Sequence, residues 1–203
     1  MAKIFKTVDE VIKYYQNKYL ETGVEEDRII VPGVSLEEIE KLEAMANLRL
    51  PATMRDIMQK AQFCDFMGFR PIITIGLCLD ILRSYALPPE PPLPFEDPKK
   101  TGFLGFAHSM GYIVYMKLDS GAIYALFEDD QEKEEIANSL EQFLCWMATL
   151  SEWEDIPKHW QLAEREGYPK DWQQVVKSAN EALDQLGIVS GRLFWIRAVA
   201  NSL

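Results

Sequence analysis

The densest group of reactive side chains in this chain is Glu128-Asp129-Asp130, three acids that close the run GYIVYMKLDSGAIYALFEDD (111–130). Carboxylates in series can hold magnesium or calcium or serve as general acids and bases. The EF-hand spacing, with its central glycine and terminal glutamate, is missing here, and consecutive residues of a strand or turn point in divergent directions. A solvated loop that leads into a helix from Gln131 accounts for the same acids, with Glu132, Glu134 and Glu135 in the helix's first turns, where its dipole favours negative charge. Contact with a partner is the other reading.

The remaining nucleophiles and bases are few. His108 and His159 are the only histidines and lie on separate segments, which allows one general base but no multi-histidine metal centre. Cys64, Cys78 and Cys145 are odd in number and lack C-x-x-C spacing, so free buried thiols are expected rather than a disulfide framework or zinc site. A reactive thiolate needs a cationic neighbour, and none stands nearby in the sequence. No G-x-G-x-x-G, Walker loop, G-x-S-x-G or H-E-x-x-H occurs. With no second group placed to complete a nucleophile–base pair, no enzyme activity, cofactor or metal is expected.

Positioning these residues falls to elements legible in the hydrophobic pattern. Val8, Val11, Ile12, Tyr15 and Tyr19 recur at helical spacing over Thr7 to Leu20. Ser35 and Glu38 form a capping box ahead of Ile39, Leu42, Met45 and Leu48, and Leu50-Pro51 ends that helix and opens another reaching about Gln62. Ile72 to Ile75 suits a strand, and Leu79, Leu82 and Tyr85 suit a helix after Gly76. The stretch PPEPPLPFEDPKK (88–100) favours polyproline II, either as a stiff exposed loop or as a ligand of a proline-binding module.

Gly102 to Phe106 reads as a short strand, followed by a turn at His108 to Gly111. In the hairpin that follows, Tyr112, Val114, Met116 and Leu118 share one face and Ile113, Tyr115 and Lys117 the other. Asp119-Ser120-Gly121 fits a three-residue turn with Gly121 left-handed, and Ala122 to Phe127 returns. Ile136, Leu140, Phe143, Leu144 and Met147 mark the helix from Gln131. Trp153 to Tyr168 has no clean period. Asp171 to Leu186 is helical, with Trp172, Val175, Val176, Ala179, Leu183 and Leu186 on one side and Gly187 as terminator, whereas RLFWIRAVA (192–200) suits strand or helix equally. The tryptophans gather in the last third as core or as interface anchors.

The order of these pieces, SLEEIEKLEAMANLRLP, ATMRDIMQKA, GFLGFA, the hairpin, then EEIANSLEQFLCWM, resembles the SUKH superfamily, which includes the fungal Smi/Knr cell-wall regulators. The similarity spans about Val34 to Met147. One departure is Gln62-Phe63-Cys64, where the family often carries asparagine-glycine. The hairpin's two largely apolar faces make Tyr112 to Phe127 the centre of an antiparallel sheet, with the helices from Ser35 and Gln131 packed on it, and the resemblance implies an α+β fold without a catalytic centre. It divides the chain into an N-terminal helical extension (1–30), a SUKH-like α+β domain (31–150) and a C-terminal extension (151–203) packed on the same domain. Bacterial members look like immunity proteins that neutralise toxins, commonly nucleases; fungal members look like regulatory scaffolds.

Charge narrows the partners. A formal net charge of -11 opposes binding to nucleic acid, whose phosphates need a basic surface, and suits a basic protein. No run of about 18 apolar residues is present, so a cytoplasmic location with no membrane contact is expected. The expected partner-binding residues are therefore Glu128, Asp129, Asp130, Glu132 and Glu134 as a charged rim, with Tyr115 as a buried-on-binding aromatic anchor.

Overall fold

The computed structural model describes residues 3–23, 30–63, 74–75, 85, 96–109, 112–127, 132–153 and 169–200. The acids 128–130, the proline stretch through residue 95, the helix expected after Gly76, Cys64, Cys78, His159 and Trp160 lie outside them, and so do the side chains of His108 and Trp172.

The hairpin is the centre of a five-stranded antiparallel sheet. Strands β5 (Tyr112–Lys117) and β6 (Ile123–Phe127) pair from Tyr112↔Phe127 to Met116↔Ile123. Gly121 closes the turn at φ +76°, donating its N–H to the Lys117 carbonyl at 2.8 Å, which is the left-handed position the sequence reserves for it. Strand β4 (Phe103–Ser109) flanks β5 with a register shift between Gly105 and Ala107, and β3 (Thr74–Ile75) pairs with Ala107 and His108. The strand thus runs through His108 and Ser109, where a turn was expected. Strand β7 (Glu134–Ala137) completes the order β3-β4-β5-β6-β7.

Strand β7 corrects the largest misreading. No helix starts at Gln131: Glu134 and Glu135 sit in a strand paired with Ala125 and Tyr124, so they do not occupy a helix's first turn. The helix begins at Leu140, capped by Ser139, whose hydroxyl accepts the Gln142 N–H at 3.2 Å. Ile136 lies four residues before Leu140, so its burial in the sheet mimics one more turn of the helical stripe.

A separate two-stranded sheet joins β1 (Ile30–Pro32) to β2 (Ala61–Phe63). It cuts the third helix short. Helix α1 (Val8–Thr22) is followed by α2 (Leu36–Ala46), whose Ser35–Glu38 capping box is formed in both directions, and by α3 (Ala52–Lys60), which starts directly after Pro51. A single turn, α4 (Pro98–Thr101), precedes β4.

Helix α5 (Leu140–Ser151) is the hub of the core. Leu140, Phe143, Leu144, Cys145, Met147, Ala148 and Leu150 are all buried, a nearly all-round apolar surface that only a helix enclosed on several sides can carry. Phe143 meets Phe106 of the sheet edge-on at 5.7 Å, while α1 and α3 pack on α5 as well. The helix from Ser35, expected against the sheet, has its main packing on α3 instead. The N-terminal segment is tied to both ends of α5: the Val8 N–H donates to Glu141, at the positive end of α1, and Tyr14 and Lys18 donate to Glu152 at 2.6 and 3.2 Å.

Helices α6 (Pro169–Gln185) and α7 (Arg192–Ala200) form a hairpin past the left-handed Gly187 and Gly191. Arg192 staples it, donating to Asp184, to Asn180 and to the Ile188 carbonyl. The ambiguous RLFWIRAVA is therefore helix, and its Phe194 and Trp195 are fully buried. Trp195 donates its indole N–H to the Ile136 carbonyl at 3.1 Å on the outer edge of β7. Gly191 lies so close to Ile136 that an added Cβ would come within 2.6 Å of its Cγ2. The C-terminal hairpin thereby covers a strand edge that would otherwise be open to pairing.

Candidate partner-binding surface

Of the residues expected at the rim, Glu132 is exposed just before β7, and Glu134 is exposed while its Oε1 accepts the Gly191 N–H at 3.1 Å. Glu134 thus has a structural duty: it holds the α6–α7 turn on the sheet edge. The acids 128–130 connect β6 to this segment and fall outside the described residues.

Tyr115 lies on the sheet face opposite Val114, as its alternation requires, but it is only 1% exposed. It cannot serve as a surface anchor in this conformation. The reason is an aromatic layer built by neighbouring strands. Tyr115 pairs with Tyr124 across β5 and β6, and Phe103 of β4 meets Tyr124 and Tyr115 edge-on at 5.2 and 6.3 Å. The Lys133 ammonium then closes over the layer, 4.8 Å from the Tyr115 ring and 5.1 Å from the Phe103 ring, and pairs with Glu96 at 2.8 Å.

This arrangement has electrostatic consequences. Burial pushes the Tyr115 phenol up to about 12, helped by the Glu96 carboxylate, against an opposing hydrogen bond to the Glu96 backbone. The Tyr124 hydroxyl donates to Glu135 Oε2 at 2.9 Å, and that bond is the main cause of its raised pKa. Lys133 is 17% exposed and Glu96 38%, so the cation is partly desolvated between two rings and a carboxylate, where cation–π attraction is strongest. What this face offers from outside is Glu96, Lys133, Phe103, Tyr124 and Glu135. None of these five was among the expected partner-binding residues. Two signals pointed to them: Tyr115 and Tyr124 sit symmetrically about the turn, which places them side by side, and Lys133 is the one cation in an acidic stretch.

The described residues include one of the three cysteines, Cys145, and neither histidine side chain. No group of three or more histidine, cysteine, aspartate or glutamate side chains is placed to hold a metal among them. Cys145 is buried in α5, and burial, then Glu141 and Glu10, push its thiol up to about 12, so it stays protonated at neutral pH. No described helix is long and apolar enough to cross a membrane. Trp153 and Trp195 are core residues and Trp146 packs against that core, which is the structural role for these three.

Comparison with curated proteins gives no match. A family model does match: that of the SMI1 / KNR4 family (SUKH-1), over residues 33–146, from Gly33 at the entry to α2 through the sheet and into α5. That is more than half of the 203 residues, and with the α+β architecture it places this chain in the SMI1/KNR4 (SUKH-1) family.

Proposed function

We propose that this chain is a non-catalytic protein-binding domain that acts as an immunity protein against a basic, nuclease-type toxin. The observation that carries the reading is the concentration of exposed carboxylates at β7, namely Glu132, Glu134 and Glu135, in a family member of net charge -11. Such a field speeds encounter with a basic protein and disfavours acidic competitors. Tight binding then requires apolar contact as well, and Phe103 and Tyr124, half-buried beside these acids, are the aromatic groups placed to provide it.

A regulatory scaffold is the second reading, favoured by the helices outside the family match: α1 and the α6–α7 hairpin enlarge the domain with surfaces of their own. The two separate in one experiment. Co-expression with the product of an adjacent toxin-like reading frame should rescue growth and give a stable one-to-one complex with no turnover of toxin or nucleic acid by this chain. Persisting toxicity with no complex would remove the immunity reading, and a hydrolase activity lost in Asp129→Asn or Asp130→Asn would remove the non-catalytic one.

A further inference from the structure

Where α2 meets α3, an open pocket of about 460 Å³ is lined by Glu40, Glu43, Asn47, Leu48, Arg49 and Arg55. Its geometry follows from the corner. Asn47 takes the left-handed conformation (φ +48°) that ends α2, Leu48 bonds back to the Glu43 carbonyl, and the chain turns through Leu50-Pro51 into α3. Glu43 is fixed at the floor: its Oε1 accepts the buried Leu50 N–H at 2.7 Å, and its side chain is 10% exposed.

Two arginines face this corner: Arg49 is exposed, and the Arg55 side chain is 17% exposed. Arg55 Nε is shut off from solvent and makes no hydrogen bond; it forms a long ion pair with Glu43 Oε1 at 3.9 Å, an oxygen that also accepts the Leu50 N–H. Among the described residues no acceptor lies within hydrogen-bond distance of the rest of its guanidinium or of Arg49, whereas Arg192 makes four hydrogen bonds. A rigid guanidinium fork matches a carboxylate in two parallel bonds.

We propose that this corner is a carboxylate-binding site, in which the ligand's two oxygens take the two terminal Nη groups of Arg55 and Arg49 closes from the mouth. Glu40 and Glu43 set the selectivity. With two acids on the same wall, a phosphate dianion is repelled more strongly than a monoanion, and a positive or neutral group beside the carboxylate is welcome near Glu40. Peptides present such a carboxylate at the C-terminus or on an acidic side chain. The site is separate from β7 and stands independently of the immunity reading.

The test is a titration followed by NMR, at constant ionic strength, through the Arg55 Nε–H signal and the Asn47, Leu48 and Leu50 amides. The probes are acetate, a short peptide with a free C-terminus, the same peptide amidated, an amidated peptide carrying one aspartate, and inorganic phosphate. Saturable shifts with acetate and with at least one carboxylate peptide are expected, with phosphate at least tenfold weaker and the uncharged amidated peptide silent. Which carboxylate peptide binds tighter assigns the source. Arg55→Gln should weaken binding tenfold or more, with Arg55→Lys restoring little because the fork is lost; Arg49→Gln should weaken it less. Shifts that do not saturate, phosphate binding as tightly as acetate, or undiminished binding in Arg55→Gln would each overturn the assignment. The wild-type Arg55 Nε–H response decides even if the variants fold poorly.

Discussion

Replacing Trp195 tests whether the C-terminal hairpin is part of the cooperative fold. Its side chain is fully buried, meets Phe194, Phe143 and Trp146 at ring distances of 5.0, 5.6 and 5.7 Å, and bonds the Ile136 carbonyl. Trp195→Ala removes the ring and leaves a void, a loss of about 3–5 kcal/mol. Trp195→Phe keeps most of the apolar contact but leaves the Ile136 carbonyl, on a residue 1% exposed, without its donor, which costs about 1–3 kcal/mol before any repacking. Urea unfolding followed by both tryptophan fluorescence and far-UV circular dichroism should show a single transition, displaced by these amounts with little change in slope. Amide exchange in β7 should accelerate in both variants. Stability within about 0.5 kcal/mol of wild type in Trp195→Ala would refute the reasoning, because the hairpin would then be an appendage rather than the cover of the sheet edge.

Gly33→Ala should destabilise by about 1–3 kcal/mol in the same urea assay, since the new Cβ would stand 1.9 Å from the Gln59 carbonyl oxygen, a backbone atom that cannot swing away. Cys145, with its thiol near 12, should resist iodoacetamide at pH 8 in the native protein and react fully in urea, as read by mass mapping; rapid native labelling would contradict its burial. Tyr115 supplies a stability change in alkali. Its folded pKa, about 12, exceeds the ordinary 10, so above pH 10 the folded state holds a proton that the unfolded chain has lost, and stability should fall from pH 10 towards 12. Comparing wild type with Tyr115→Phe across that range checks it: the variant should show a shallower fall, and equal slopes would remove Tyr115 as the cause.

Legibility in the sequence followed the range of the forces involved. The Ser35–Glu38 box, the Gly121 turn and the Gly187 stop are local devices, and each was readable because the residue type and the geometry it permits are nearly the same statement. Strands β1, β2 and β7 were not readable. Each is three or four residues long and exists only through pairing with a distant segment, as Ile30 with Phe63 or Glu134 with Ala125. A local signal for the true start of α5 was present in Ser139 and Gln142, which cap it through the Gln142 N–H and the Asn138 N–H, but the apolar period continuing back to Ile136 outweighed it. For the surface, alternation placed Tyr115 on the correct face and could not tell that Lys133 and Phe103 would close over it, because both arrive from other elements.

The acid rim is tested most directly by association kinetics. The partner captured from the native host is mixed with wild type and with the Asp129→Asn, Asp130→Asn, Glu132→Gln variant at two ionic strengths. A rim that steers a basic partner predicts a wild-type association rate that falls steeply with salt, and a variant that associates several-fold to about tenfold more slowly at low salt with a shallower salt slope and a dissociation rate little changed. An association rate and salt slope identical to wild type would contradict the claim and leave these acids as a solvated connection between two strands.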